Sequence, residues 1–87
     1  MENLKENILI VDEDIKVRNK MRSMLEEDGF SILECNNCDE AYEIICNDEI
    51  SLVLVNIDKA CDEGIDAIEK IKAEFPNTPL VVTSHTV

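Results

Sequence analysis

The stretch Ser51-Leu-Val-Leu-Val-Asn-Ile-Asp58 decides the fold, because an apolar run stops abruptly at a polar cluster. Four consecutive aliphatic residues, Leu52 to Val55, predict a strand that is buried on both faces, as in the middle of a parallel sheet. In open α/β sheets the functional groups lie just beyond the carboxyl ends of such strands. The polar residues that end this stretch, Asn56 and Asp58, are therefore the first candidates for a functional site.

Two further apolar runs lead into polar residues in the same way. The run at residues 8–11 is followed by Asp12 and Glu13, and the run at residues 80–82 is followed by Thr83-Ser84. Because the carboxyl ends of parallel strands share one edge of a sheet, we expect these side chains to assemble there. We call this edge the carboxyl rim.

Segments with apolar residues at helical spacing separate the predicted strands. The first helix has a candidate N-cap at Asp14 and ends before Gly29, and Asn37 with Glu40 forms a candidate capping box for the second. Pro76 ends the third helix, because proline lacks an amide donor and disfavours helix in the preceding residue. The predicted elements are strands at residues 7–11, 30–34, 52–55 and 80–84 and helices at residues 15–28, 38–48 and 65–75.

The helical segments each carry an apolar stripe that is expected to face the sheet. These stripes are Val17, Met21, Met24 and Leu25 in the first helix, Ala41, Ile44 and Ile45 in the second, and Ile68, Ile71 and Phe75 in the third. Strands that alternate with helices require a parallel sheet with right-handed crossovers. We therefore predict one α/β domain over residues 1–87 with a flavodoxin-like, doubly wound sheet of strand order 2-1-3-4. The first helix is expected on one face and the other two on the opposite face.

Charge narrows the classes of partner. Eight basic and twenty acidic residues give a net charge of −12. Such a polyanion is repelled by nucleic acid and by anionic membranes, and it attracts hard cations where carboxylates converge. No segment is long and apolar enough for a membrane span, and the N-terminus lacks the apolar core of a signal peptide. The expected location is the cytoplasm.

Four motifs follow one another along the chain. They are Ile8-Leu-Ile-Val-Asp-Glu-Asp14 with Arg18, Glu27-Asp-Gly-Phe30, Leu52-Val-Leu-Val-Asn-Ile-Asp58 with Glu63-Gly-Ile65, and Pro76-Asn-Thr-Pro-Leu-Val-Val-Thr-Ser84. Taken together, they resemble the receiver domain of bacterial two-component response regulators, and the resemblance covers essentially all 87 residues. One motif alone is weak, but all four occur in the family's order and spacing.

The resemblance assigns a role to each polar position at the carboxyl rim. It implies that Asp12 and Glu13 hold a divalent cation, which for this donor set is Mg²⁺. It implies that Asp58 contributes its backbone carbonyl to the same cation, and that the hydroxyl of Ser84 bonds the phosphoryl group. Asn56 falls on the position of the family's phosphoacceptor aspartate.

Asn56 is the important departure from the family. Aspartyl phosphorylation requires a carboxylate oxygen that attacks phosphorus, and a carboxamide of nearly the same shape is a very weak nucleophile. Asn56 can still offer its carbonyl oxygen to a metal. The segment Lys59-Ala60-Cys61 and His85 also depart from the residues usual in the family. We therefore expect impaired phosphorylation and weakened Mg²⁺ binding, and we regard Asp58 as an unfavoured replacement acceptor.

The sequence stops after the predicted fourth strand, whereas the resemblance implies a fifth strand, two last helices and a phosphoryl-pairing lysine. Either the sequence is a piece of a longer protein or these elements are absent. If they are absent, one edge of the sheet stays uncovered, which favours a homodimer or strand exchange.

The sequence therefore predicts an atypical receiver domain, not an enzyme, that acts as a phosphorylation-independent interaction or dimerisation module. Its expected partner is a sensor histidine kinase or another signalling protein. Two alternatives stay open. One is a thiol-disulfide protein that uses the pair in Cys35-Asn-Asn-Cys38, although reduced thiols are favoured for all four cysteines. The other is a scaffold fragment without any site.

Overall fold

A computed structural model describes residues 6–56 and 65–83, with only the backbone at residues 65 and 66. Strands and helices alternate along the chain, as predicted. The strands are β1 (Asn7–Val11), β2 (Ser31–Cys35), β3 (Leu52–Asn56) and β4 (Leu80–Thr83), and the helices are α1 (Ile15–Glu27), α2 (Cys38–Asn47) and α3 (Ile65–Glu74). The predicted element bounds agree with these to within one residue.

The four strands form one parallel sheet in the order β2-β1-β3-β4, which confirms the predicted flavodoxin-like topology. The register aligns the ends of the strands. Val11 pairs with Cys35 on one side and with Val55 on the other, and Asn56 pairs with Thr83. The residues that follow these positions therefore meet along the carboxyl rim.

Alternate residues of each strand face opposite layers, and helices cover both. One layer contains α2 and α3 and the larger buried cluster: Leu9, Val11, Cys35, Cys38, Ala41, Ile45, Ile50, Val53, Val55, Ile68 and Ile71. In the other layer Met21 and Leu25 of α1 pack against Ile8, Ile10 and Ile32. The predicted division of the helices between the two faces is confirmed. Met24, which we placed in the buried stripe of α1, is 59% exposed, so that assignment was wrong.

Helix ends are set by side-chain caps and by one glycine. The Asp14 carboxylate accepts a hydrogen bond from the amide of Lys16, and the Asn37 side chain accepts one from the amide of Glu40. The Glu40 carboxylate bonds the amide of Asn36 rather than that of Asn37, so the reciprocal half of the predicted capping box is displaced by one residue. Gly29 has a φ of 95°, which suits the left-handed residue after α1.

β4 lies at one end of the sheet and is the least covered strand. Val81 and Val82 are 46% and 43% exposed. Because consecutive strand residues point to opposite faces, both faces of β4 are open in the part of the chain that the structure describes. Among the described residues, no helix combines the length and the apolar character that a membrane crossing requires.

Candidate functional site

Asp12 and Asn56 lie side by side at the carboxyl rim. Asp12 directly follows β1, Asn56 is the last residue of β3, and the preceding residues Val11 and Val55 are register partners. Adjacent strands are about 4.8 Å apart, so the two backbones are close at this point. Both side chains are buried, with 6% and 4% exposure, and they are the two buried polar residues of the described chain. Buried polar side chains at a rim of parallel strands are typical of a functional site.

The backbone and side chain of Asp12 are held at several points. Its amide donates to the carbonyl of Cys35 at 3.1 Å, and its Oδ1 accepts from the amide of Asp14 at 2.9 Å. Its carbonyl oxygen accepts from Nη1 of Arg18. These contacts fix the turn between β1 and α1. Glu13, the second predicted carboxylate, is exposed next to this fixed residue.

Arg18 connects the rim to α1 and to the end of β2. Its Nε donates to Oε1 of Glu34 at 3.0 Å, and its Nη1 also donates to Oδ1 of Asn36. Arg22 binds the second oxygen of Glu34 at 2.6 Å. The sequence placed Arg18 in a family motif but gave it no role, because the partners lie sixteen and eighteen residues away. An arginine one helical turn after the N-cap Asp14 is the one signal that pointed to it.

Two predicted site residues, Asp58 and Ser84, lie outside the described residues, and their roles stay predictions. The neighbouring Thr83 is described. It ends β4 opposite Asn56, and its hydroxyl donates to the carbonyl of Val55 at 3.2 Å. The Thr83 hydroxyl is thereby bonded to the strand that carries Asn56.

The oxygen donors at the rim suit a hard cation in kind and number. In the described ranges, 6–56 and 65–83, there is no group of three or more His, Cys, Asp and Glu side chains that would hold a metal ion. Mg²⁺ does not require one, because it retains several waters and uses one or two carboxylates. Asp12, Glu13 and the amide oxygen of Asn56 supply two carboxylates and one neutral oxygen. These residues fit Mg²⁺, with one negative charge fewer than an aspartate at position 56 would provide.

Cys35 and Cys38 do not form the redox pair that the alternative hypothesis requires. Cys38 is disulfide-bonded, whereas Cys35 is a free thiol, so these two residues are not bonded to each other. The expectation that all four cysteines are reduced was wrong for Cys38. Burial, reinforced by the negative charge of Glu40, raises the pKa of Cys35 to about 12. A thiol with so high a pKa is not a nucleophile near neutral pH.

Comparison with known proteins points to one family. The family model of the response regulator receiver domain matches residues 8–87 of this chain. The autoinducer 1 sensor kinase/phosphatase LuxN of Vibrio campbellii is 30% identical over 82 residues, which are 94% of this chain and 10% of LuxN. The transcriptional regulatory protein SrrA of Staphylococcus aureus is 31% identical over 75 residues, which are 86% of this chain and 31% of SrrA. The chain thus spans less than a third of each of these relatives.

A solved structure agrees with this match. The crystal structure of a response regulator from Thermotoga maritima superposes with a TM-score of 0.85 at 31% identity. The alignment covers 97% of this chain and 70% of that one.

Proposed function

This chain belongs to the family of response regulator receiver domains, and from that premise we propose that it signals by protein binding without accepting a phosphoryl group. The proposal depends on one observation: the residue at the end of β3, the position that the resemblance assigns to the acceptor aspartate, is the buried amide Asn56. Attack on phosphorus requires an oxygen with available negative charge, and the amide does not supply it.

Mg²⁺ is the proposed cofactor. It would be held more weakly here than by a site with an aspartate at position 56. Asp12 and Glu13 would provide the carboxylates, and Asn56 and Asp58 would each provide a carbonyl oxygen. A bound Mg²⁺ neutralises negative charge on phosphoryl oxygens during phosphoryl transfer. In this chain its proposed role is to offset the charge of Asp12 and Glu13. Ser84 is the proposed hydroxyl that couples this site to the surface.

A sensor histidine kinase or another signalling protein is the proposed partner. The relatives support this choice, since one is a sensor kinase/phosphatase and the other a transcriptional regulatory protein. A net charge of −12 disfavours nucleic acid and anionic lipid as ligands of this domain. We propose that the domain works in the cytoplasm and is not itself an enzyme.

A second copy of the chain is a further proposed partner, through β4. Exposed apolar side chains on both faces of an end strand favour association, because pairing buries them and satisfies the strand's backbone groups. Val81 and Val82 are such side chains. Sedimentation equilibrium on the chain and on Val82→Lys tests this proposal: a dimer that Val82→Lys weakens is expected, and a monomeric chain at all concentrations contradicts it.

Phosphoryl uptake by Asn56→Asp tests the proposed function. The wild-type chain, Asn56→Asp and Asn56→Ala are incubated with a small acyl phosphate and Mg²⁺, and intact mass is measured. We expect an adduct on Asn56→Asp alone, because only that variant places a carboxylate at the end of β3. Asn56→Ala is the matched control for loss of the amide. If Asn56→Asp takes up no phosphoryl group, the amide is not what prevents the reaction.

A further inference from the structure

We propose that Arg18 is the positioning residue of the cation site, because it fixes the backbone between the two carboxylates that would bind Mg²⁺. This inference rests on the cation site of the proposed function and adds a residue that does not touch the cation itself. Arg18 acts through the carbonyl of Asp12, which belongs to the peptide unit that leads into Glu13.

The contacts of Arg18 converge on the rim from three segments of the chain. One guanidinium binds the Asp12 carbonyl after β1, the Glu34 carboxylate in β2 and the Asn36 side chain before α2. The Arg18 side chain is only 12% exposed, so the guanidinium is largely withdrawn from water. Hydrogen bonds of a buried, charged donor are stronger and more directional than those of an exposed one. The Asp12 carbonyl is therefore tied to both β2 and the loop that follows it.

Arg22 provides an internal comparison. It lies one turn further along α1 and binds the same carboxylate, Glu34, but its side chain is 43% exposed. Its other ion pair is with Glu26 of α1, at 3.5 Å. Neither of these two ion pairs involves Asp12 or Asn36. Loss of Arg22 therefore perturbs Glu34 and leaves the Asp12 carbonyl bonded to Arg18.

The shape of the arginine side chain is needed as well as its charge. A guanidinium presents several N–H groups in one plane, so it can bond Glu34 through Nε while Nη1 reaches Asp12 and Asn36. A lysine ammonium carries the same charge on a single nitrogen and cannot span these acceptors. Arg18→Lys thus removes the positioning contacts while it keeps a positive charge close to Asp12. This matters because removing the charge would by itself strengthen the attraction between the rim and a cation.

The test measures Mg²⁺ affinity by a titration of backbone amide chemical shifts, with Mg²⁺ alone as the ligand. The wild-type chain, Arg18→Lys and the control Arg22→Lys are compared, and their thermal midpoints are recorded. Loss of residues that orient metal ligands typically costs tenfold or more in metal affinity, so we expect about tenfold weaker binding in Arg18→Lys. Arg22→Lys is expected to bind Mg²⁺ like wild type. The thermal midpoint is expected to fall further in Arg18→Lys than in Arg22→Lys, since Arg18 loses three largely buried contacts and Arg22 is more exposed.

The outcomes separate this inference from the proposal on which it rests. Wild-type affinity in Arg18→Lys, or equal weakening in Arg22→Lys, overturns the role of Arg18 and leaves the cation site intact. No Mg²⁺-dependent shift at Asp12, Glu13 or Asn56 in the wild-type chain overturns the cation site itself and the inference with it. If Arg18→Lys does not fold, Asn36→Ala is the second variant, since it removes one acceptor of Arg18, leaves the guanidinium in place and changes no charge. It is expected to weaken Mg²⁺ binding in the same direction by a smaller factor, and wild-type affinity would overturn the inference.

Discussion

Asn56→Asp should make the domain less stable than wild type when Mg²⁺ is absent. Adding Mg²⁺ should restore most of the stability that this variant loses. The amide of Asn56 is buried beside the buried carboxylate of Asp12, with Glu13 one residue further on. A carboxylate at position 56 would add a third negative charge at this edge. It would also replace an amide that can donate a hydrogen bond with a group that only accepts.

The size of the effect follows from the separation of β1 and β3. Strands about 4.8 Å apart place neighbouring carboxylates roughly 5.5 Å apart, and two unit charges at that distance repel by about 3 kcal/mol at an effective dielectric constant of 20. The free energy of unfolding of Asn56→Asp should therefore lie up to about 3 kcal/mol below that of wild type at neutral pH. Mg²⁺ at a hundredfold excess over its dissociation constant would return about 2.7 kcal/mol.

Urea unfolding is the appropriate assay, because urea is uncharged and does not screen the carboxylates as guanidinium chloride would. The three chains are wild type, Asn56→Asp and the control Asn56→Ala, each measured with and without Mg²⁺ at constant ionic strength. Asn56→Ala loses the same amide without a new charge, so Mg²⁺ should stabilise it no more than it stabilises wild type. If Asn56→Asp were as stable as wild type without Mg²⁺, or equally destabilised at both Mg²⁺ concentrations, the predicted charge cluster would not exist.

Three further predictions concern the body of the domain. Tyr42 donates a hydrogen bond to Glu74 at 2.6 Å, and this contact raises the pKa of Tyr42 to about 12. An ultraviolet titration of this single tyrosine should therefore show a midpoint near 12, and Glu74→Gln should move the midpoint towards 10. Cys46 is exposed, whereas Cys35 is buried and has a pKa of about 12. Iodoacetamide at pH 8 should therefore label Cys46 before Cys35, and equal rates of labelling would contradict the burial of Cys35. Leu9→Ala removes a side chain with 0% exposure and should cost about 2–5 kcal/mol in urea unfolding, and a loss under 1 kcal/mol would contradict the packing.

The raised pKa of Cys35 also has a consequence at alkaline pH. Its thiol remains protonated in the folded chain up to a pH of about 12, whereas an unfolded cysteine ionises near 9. The unfolded state therefore releases its proton first as the pH rises. The stability that this thiol contributes is complete below pH 9 and is lost between about 9 and 12.

Much of the fold was predictable because its determinants are local. The apolar runs that became β1 and β3, the caps at Asp14 and Asn37 and the stop at Pro76 are all visible within a few residues. The predicted second strand began one residue early, at Phe30. In the structure the amide of Phe30 donates to the carbonyl of Leu25 and completes the end of α1, so it is not available to the sheet.

The candidate site was predictable in its residue types and less so in its connections. Asp12 and Asn56 could be placed together because parallel strands bring their carboxyl ends to one edge. The contacts of Arg18 with Asp12, Glu34 and Asn36 were missed, because they join separate elements and no spacing rule specifies them. The exposure of Met24 was missed for a similar reason: it lies at the margin of the apolar stripe of α1, where periodicity does not decide burial.

The most direct test of the central claim is the intact mass of the wild-type chain before and after incubation with a small acyl phosphate and Mg²⁺. We predict no phosphoryl adduct, because the end of β3 carries the amide of Asn56 in place of a nucleophilic carboxylate. An adduct that is labile to hydroxylamine, as acyl phosphates are, would contradict it. Such an adduct would assign the acceptor role to Asp58 or to another carboxylate of the rim.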